Sequence, residues 1–380
     1  MKILHVGKYY PPFFGGIEKV NFDLVESLNK KGISTDVICF NHEKGSKLEK
    51  GEYVIYREGT LIEKFSTPIS ISFYNQLRKI QKNYDIIHVH LPNPVAAIAL
   101  QLSRFKGKLV LHWHSDIINQ KLLKKVYIPF QELLLHRADK IIVTTSTYLF
   151  GSQDLKPFRN KCEIIPIGID RNEFIDNLEF RAELNNRFQG KKVVFSLGRL
   201  IYYKGFEYLI NAALDLPSDY VVLIGGVGEL EEGLQKLIKK NNLEGKVILL
   251  GKLPFDQIGE YYRRADLFCL ASNERSEAFG VVLIEAMSFG CPIVTTAIEG
   301  SGVTWVNKNN ETGLVVAPNS SKALAQGIIK ILSNEILRTE MSKNSLNRYE
   351  DLFHKEKMTE LTTSLYKNIL ESDDDFKVVI

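Results

Sequence analysis

Short apolar runs alternate with amphipathic stretches along this chain, and the alternation begins again near its middle. The first series is KILHVG (2–7), a helical stretch over 17–31, STDVICF (34–40), YDIIHVH (84–90), KLVLHWH (108–114), DKIIVTT (139–145) and CEIIPIG (162–168). The second is KKVVFSLG (191–198), YVVLIGG (220–226), KVILLG (246–251), ADLFCLAS (265–272), CPIVTTA (291–297) and TGLVVAP (312–318). Runs of this length, nearly continuous in apolar residues and separated by helical periodicity, predict parallel strands buried on both faces with crossover helices between them. Two series in tandem predict two doubly wound α/β sheets. The segment Pro166-Ile167-Gly168-Ile169-Asp170 follows a strand and precedes a polar stretch, which places the domain boundary there: 1–168 and 169–354. A last amphipathic helix is expected over about 355–370, followed by a frayed acidic tail at 373–380.

Composition narrows the class. A chain of 380 residues exceeds one compact core. Its 44% hydrophobic and 25% charged residues and mean hydropathy of -0.10 exclude disorder, collagen-like repetition and a membrane-embedded body. The first apolar run is broken by Lys8 and Pro11, unlike a signal peptide, and no stretch approaches the roughly 18 apolar residues of a spanning helix. A cytoplasmic placement is expected. Four dispersed cysteines, Cys39, Cys162, Cys269 and Cys291, form no disulfide or zinc pattern. Charge is uneven: residues 1–190 hold 27 Lys and Arg against 20 Asp and Glu, a net +7, whereas the remainder holds 22 against 25, a net -3. A basic first half fits contact with acidic lipid head groups or phosphates, and equally a solvated lysine surface. Within it, 121–137 sets Lys121, Lys124 and Lys125 among apolar residues as a membrane-surface helix does, while Pro129 and the Leu133-Leu134-Leu135 run favour burial.

Ligands of open α/β sheets bind beyond the carboxyl ends of strands, so the loops leaving strands carry the candidate chemistry. After the first strand, Gly15-Gly16 precedes a helix; adjacent glycines either let backbone N–H groups approach an anion or merely make a tight turn. Arg199 and Lys204, five residues apart after KKVVFSLG, offer two cations to one anionic group such as a diphosphate, or stand as a solvated pair. Gly225-Gly226-Val227-Gly228 imitates a dinucleotide fingerprint, but the third glycine counted from Gly226 would fall on Glu231, which weakens a nicotinamide site. The loop holding Glu277 runs through Phe279, Gly280 and Val281 into a helix that Gly290 stops. Glu285 lies inside that helix. A diphosphate at its N-terminus would be flanked by the two carboxylates, up to about 12 Å apart. Each glutamate alone reads as an ordinary salt bridge; the pair around one loop does not.

His88 with His90, and His112 with His114, are i, i+2 pairs sharing a strand face. A metal would need further converging ligands, and spacing supplies none, so core or site-lining imidazoles are the preferred reading. His114 ends its strand and is the best candidate of the eight histidines.

The series Pro-Pro-x-x-Gly-Gly-Ile-Glu (11–18), His-Ser-Asp-Ile (114–117), Pro-x-Gly-Ile-Asp (166–170), Gly-Arg-Leu-x-x-x-Lys-Gly (198–205) and Arg-Ser-Glu-Ala-Phe-Gly-x-x-x-x-Glu-Ala-Met (275–287) closely resembles the family-4 retaining glycosyltransferases, in order and over nearly the whole chain. The resemblance implies a GT-B architecture, two Rossmann-like domains facing a cleft, with the C-terminal helix, about 355–372, packed on the N-terminal domain. It implies that the C-terminal domain holds a nucleotide sugar: Arg199 and Lys204 on the leaving diphosphate, Glu277 on sugar hydroxyls, Glu285 on the ribose, with Gly226, Phe279, Gly280 and Val281 around the donor. Gly15 and Gly16 would reach its phosphates and His114 the reacting sugar. No metal or other cofactor is expected. The motifs look most like bacterial surface-polysaccharide enzymes, implying GDP-mannose as donor, a lipid-linked saccharide as acceptor, contact with the inner membrane face, and no nucleic acid. UDP- or dTDP-sugars are the alternative donors; a nicotinamide-dependent dehydrogenase and a non-catalytic sugar-nucleotide binder are remoter readings. On the transferase reading, Glu277→Ala and Lys204→Ala are expected to fold normally and lose transfer.

Overall fold

The computed structural model describes residues 1–12, 15–64, 67–117 and 121–374, with the side chains of 64, 121–126 and 372–374 outside that description. Contacts divide the chain into two compact units, Met1–Gly168 with the segment from Lys355 onward, and Ile169–His354.

In the first unit the described residues form strands β1 (Lys2–Val6), β2 (Ser34–Phe40), β3 (Lys47–Lys50), β4 (Val54–Glu58), β5 (Ile62–Lys64), β6 (Thr67–Ile69), β7 (Ile86–Leu91), β8 (Lys108–Trp113), β9 (Lys140–Val143) and β10 (Cys162–Ile164). Eight of these make one sheet in the order β10-β9-β8-β7-β1-β2-β4-β3, while β5 and β6 pair as a separate hairpin. Every pairing in the large sheet is parallel except that of the edge strand β3 with β4. The central strand β7 is buried at every residue, as a sheet covered on both faces requires. The helix Gly16–Lys30 turns Val20, Leu24, Val25 and Leu28 inward at helical spacing. The C-terminal helix Lys355–Asp374 packs against it, burying Tyr366 and Ile369, and runs two residues into the acidic segment expected to fray. The rest of that tail, 375–380, lies outside the described residues.

The second unit carries β11 (Lys192–Leu197), β12 (Tyr220–Gly225), β13 (Val247–Gly251), β14 (Leu267–Leu270), β15 (Ile293–Thr296) and β16 (Gly313–Val316), parallel throughout in the order β13-β12-β11-β14-β15-β16. The order reverses between β11 and β14. Loops leaving those two neighbouring strands therefore open side by side, at the switch point where open α/β sheets bind ligands. Among the described residues no helix is long and apolar enough to cross a membrane.

Candidate active site

In the second unit three loops are stitched together by their backbones. Gly198 N donates to Gly225 O at 3.0 Å and Leu200 N to Val227 O at 3.0 Å, joining the loop after β11 to the loop after β12. Gly226, at φ +131°, makes this approach possible: a Cβ there would stand 1.9 Å from Gly198 O. Gly205, at φ +65°, does the same toward β14, where a Cβ would lie 2.3 Å from Ala271 O. The glycines that imitate a dinucleotide fingerprint thus have an internal reason to be glycine.

This stitching turns Lys204 inward. Its Nζ lies 2.5 Å from Glu277 Oε2, and both side chains are only 10% exposed. Ser272 Oγ donates to the same oxygen at 2.8 Å. The Glu277 backbone is also fixed, its N–H on Glu274 O at 3.0 Å and its carbonyl accepting from the Ser301 hydroxyl. Lys204 lies directly beneath the loop: a Cβ on Gly198 would be 3.4 Å from Nζ. Arg199 is exposed, and no described residue pairs with its guanidinium. The pattern predicted two cations converging on a ligand; the structure instead neutralises one of them with the loop carboxylate and leaves the other in solvent. Removing either partner leaves a buried charge unpaired, so Lys204→Ala and Glu277→Ala are expected to lose stability as well as transfer.

The helix Val281–Ser288 starts at Gly280, whose φ of +79° is left-handed and which supplies no side-chain cap. Its first N–H groups keep their capacity for an external acceptor, at the positive end of the helix dipole. Glu285 sits one turn in, and its Oε2 accepts from Tyr262 OH at 2.7 Å. Burial, and then the Glu285 charge, push the Tyr262 hydroxyl far above its ordinary value, so it remains a donor. The Phe279 ring is buried at 3% exposure, edge-on to Phe353 at 6.1 Å, so a donor would meet this position through its backbone. Val281 is half-buried at the helix start.

In the first unit, Gly15 caps the helix Gly16–Lys30 with φ -125°, and a Cβ on Gly16 would meet nothing within 4 Å among the described residues. Neither glycine takes a left-handed φ, and a Cβ on Gly15 would stand 2.5 Å from Glu18 Oε2; Phe13 and Phe14 beside them lie outside the described residues. The helix Lys121–Arg137 is present and exposes Phe130 and Leu133 while burying Leu134 and Leu135; its three leading lysines are among the side chains outside the description.

The histidines converge further than their spacing predicted. Parallel register sets His5 against His88 and His90 against His112, so the imidazoles of β1, β7 and β8 share one sheet face with His114 just beyond β8. His88, His90 and His112 bring ligand nitrogens within 4.8 Å of one another, and His5 joins them, which corrects the expectation that nothing further converges. The rings stack, however, with interplanar angles of 17° for His88–His90 and 27° for His90–His112, so their ring planes run nearly parallel; His88 and His90 nitrogens are engaged with His112 and His114, while His112 Nε2 has no partner among the described residues. Burial depresses all five: His5 to about 4, His114 to about 3, and His88, His90 and His112 well below the ordinary imidazole value. They are neutral near pH 7. His5, Asn21, Tyr262 and Tyr366 carried no signal in the sequence, and Ser272 stood only as the first residue of the loop that holds Glu277.

Residues 179–348 match the glycosyl transferases group 1 family, and residues 14–173 match glycosyltransferase family 4. The O-antigen chain mannosyltransferase C of Escherichia coli is 32% identical over 377 residues, covering 98% of this chain and 100% of that protein. The D-rhamnosyltransferase WbpZ of Pseudomonas aeruginosa is 30% identical over 355 residues, covering 93% and 92%. Among solved structures, sucrose-phosphate synthase from Thermosynechococcus elongatus aligns with a TM-score of 0.79 at 22% identity, over 98% of this chain and 99% of that one.

Proposed function

Because the chain belongs to the family-4 glycosyltransferases and has their GT-B fold, we propose that it moves mannose from GDP-mannose to a lipid-linked saccharide, with retention, in O-antigen-type polysaccharide synthesis. The observation that carries this reading is the buried Lys204–Glu277 pair beside an uncapped helix N-terminus, at the switch point of the second sheet. Departure of a nucleoside diphosphate builds negative charge on phosphate oxygens, and fixed cations and backbone N–H groups lower that barrier. Lys204, Arg199 and the N–H groups from Gly280 and Val281 are the groups that meet it. Once Lys204 turns to phosphate, Glu277 accepts from sugar hydroxyls with Ser272 holding its position, and Glu285, oriented by Tyr262, accepts from the ribose. In the first unit, Gly15 and Gly16 offer backbone N–H groups to phosphate, and His114 meets the sugar. The acceptor hydroxyl attacks the anomeric carbon on the face the leaving group departs from. One C–O bond to phosphate breaks, one to the acceptor forms, and the proton passes to the departing phosphate oxygen. Protein cations supply the neutralising charge, so transfer proceeds without a metal.

The choice of mannose rests on the two relatives, whose names specify mannosyl and rhamnosyl transfer. Thermal-shift screening against GDP-, UDP-, dTDP- and ADP-sugars tests it, because a ligand that binds only the folded state at 100 times its Kd adds about 2.7 kcal/mol of stability. GDP-mannose is expected to raise the melting temperature and to be turned over in the presence of a chelator. Stabilisation by UDP- or dTDP-sugars alone would replace the donor, and turnover abolished by chelation would remove the metal-free mechanism. Placement at the inner membrane face is tested by co-sedimentation with anionic vesicles, for which Phe130 and Leu133 are the exposed apolar groups; no binding at low salt would sink it.

A further inference from the structure

The β5–β6 hairpin of the first unit turns large apolar side chains outward and small polar ones inward. Its strands pair antiparallel, apart from the large sheet, with Ile62 directly opposite Ile69. Along the second strand the side chains alternate: Pro68 and Ser70 are buried, so Ile69 and Ile71 face solvent, 44% and 64% exposed. Ile62 is 55% exposed and Leu61 beside it 54%. Ser70 has a structural reason to face inward, since its Oγ accepts from Phe73 N at 3.1 Å and caps the helix Ile71–Ile80. That reason fixes the direction of positions 69 and 71 but does not call for isoleucine there, because polar residues satisfy the same alternation. A cross-strand isoleucine pair flanked by a leucine and a third isoleucine is an apolar patch of the kind that marks an interaction site.

The place of the hairpin in the fold argues what it meets. Strands β1, β2 and β4 are parallel, so residues 59 onward leave β4 at the same end at which Gly7 and its successors leave β1. That is the carboxyl end, where open α/β sheets bind ligands. The two excursions touch: Glu63 Oε1 stands 3.9 Å from Lys8 Nζ and accepts from the Tyr9 hydroxyl. The chain that begins with Lys8 and Tyr9 continues to Gly15 and Gly16, at the start of the helix Gly16–Lys30. A ligand whose polar end reaches this loop thus finds a lysine ammonium and four half-exposed aliphatic side chains side by side. An anionic head on a hydrocarbon chain matches both. None of the four is a Trp or Tyr, the residues enriched where proteins sit among lipid head groups, and Glu63 adjoins Ile62, which disfavours an anionic bilayer. A single bound chain fits better.

We propose that this hairpin seats the hydrocarbon chain of a phosphate-bearing lipid, the carrier of the saccharide acceptor. The chain-binding surface stands on the first unit alone; calling the lipid an acceptor rests on the proposed transferase reading. Apolar contact is non-directional and is worth about fourfold in affinity for each methylene withdrawn from water, so chain length is the variable to which such a surface responds.

The probe is geranylgeranyl phosphate bearing a photoreactive diazirine at the far end of its chain, photolysed with the full-length protein. Adducts are expected within residues 61–71, falling about tenfold in Ile62→Ser/Ile69→Ser. Adducts elsewhere, or undiminished in that variant, overturn the proposal. Both side chains face solvent, so the variant is expected to fold; Ile71→Ser, at the first residue of its helix, repeats the measurement where it does not. Transfer is then compared on one saccharide carried by methyl, octyl or geranylgeranyl phosphate groups. The unsubstituted protein is expected to show a KM that falls as the chain lengthens. The variant is expected to raise KM about tenfold on the longest acceptor alone, with the methyl glycoside and the donor unaffected. The same chain-length response in both proteins, with pelleting on phosphatidylcholine–phosphatidylglycerol vesicles lost only in the variant, would make the patch a bilayer contact and end the proposal. Adducts on the hairpin without sugar transfer to any of these acceptors would leave the chain site standing and remove the transferase reading.

Discussion

Lys204 and Glu277 neutralise each other at 2.5 Å in a site that is only a tenth exposed, and this one pair couples function to stability. Removing one member of a buried pair costs about 3 to 5 kcal/mol because the survivor keeps its charge without a partner. Lys204→Met is therefore expected to lower the urea midpoint of the second unit and to reduce transfer by about 10² to 10³. The double variant Lys204→Met/Glu277→Gln is expected to recover most of the stability and none of the turnover. Recovered turnover would show that neither group serves the reaction. Tyr262→Phe removes the 2.7 Å hydrogen bond to Glu285 without adding charge. It is expected to leave transfer at saturating donor near normal and weaken donor binding about 10- to 100-fold by calorimetry, the scale of one hydrogen bond to a charged group. These pairings were illegible in the sequence, where Lys204 and Glu277 lie 73 residues apart and Tyr262 and Glu285 lie 23 apart. The spacing told which residue types gathered on which loops; which atom meets which depends on strand order, and periodicity does not encode strand order.

The elements themselves were far more legible. Twelve apolar runs became twelve parallel strands because a strand buried on both faces must be apolar at nearly every position. The strands that escaped, β3 to β6, are an edge pair and a small hairpin; Lys47–Lys50 reads Lys-Leu-Glu-Lys and carries no apolar run at all. Glycines marked the ends of the helix Val281–Ser288 correctly, since Gly280 and Gly290 both take left-handed φ. The glycine series at 225–228 was harder to interpret, because close approach to a ligand and close approach to another loop demand the same residue. Gly226→Ala separates these. Its Cβ would strike Gly198 O, and the backbone conformation alone costs an alanine about 1 to 3 kcal/mol. The second unit is expected to lose at least that much in urea titration, monitored by Trp305 in a Trp113→Phe background, together with the alignment of the loop that carries Arg199. Unchanged stability with lost donor binding would instead make Gly226 a ligand-facing glycine.

At the scale of the whole molecule the two units differ most in how they meet acid. Seven of the eight histidines fall in the first unit and only His354 in the second. Five of the seven are buried and neutral, with His5 depressed to about 4 and His114 to about 3 from an ordinary value of 6.5. A histidine whose folded pKa lies below its unfolded pKa binds more protons when unfolded, so stability falls as pH drops from 6.5 toward the folded value. All five act in the same direction, so the first unit loses stability steadily as the pH falls below 6.5. The one histidine of the second unit, His354, is only half-buried. That unit's buried Glu260 is pushed up by burial, but Arg181 and the Asn177 amide more than offset that and hold it below the usual carboxylate range. Stability from that carboxylate is present above pH 4.5 and is lost only as pH falls further. Each unit contains one tryptophan, Trp113 in β8 beside the histidines and Trp305 in the second unit, so Trp305→Phe and Trp113→Phe variants report the units separately. The Trp113 signal is expected to collapse between pH 6 and 4 while the Trp305 signal persists below pH 4.5, and transfer to disappear with the first. Loss of both signals in one step below pH 4, or histidine resonances that titrate near 6.5 in the folded protein, would mean that burial does not hold these imidazoles neutral as the pH falls, and the acid sensitivity of the first unit would have another cause.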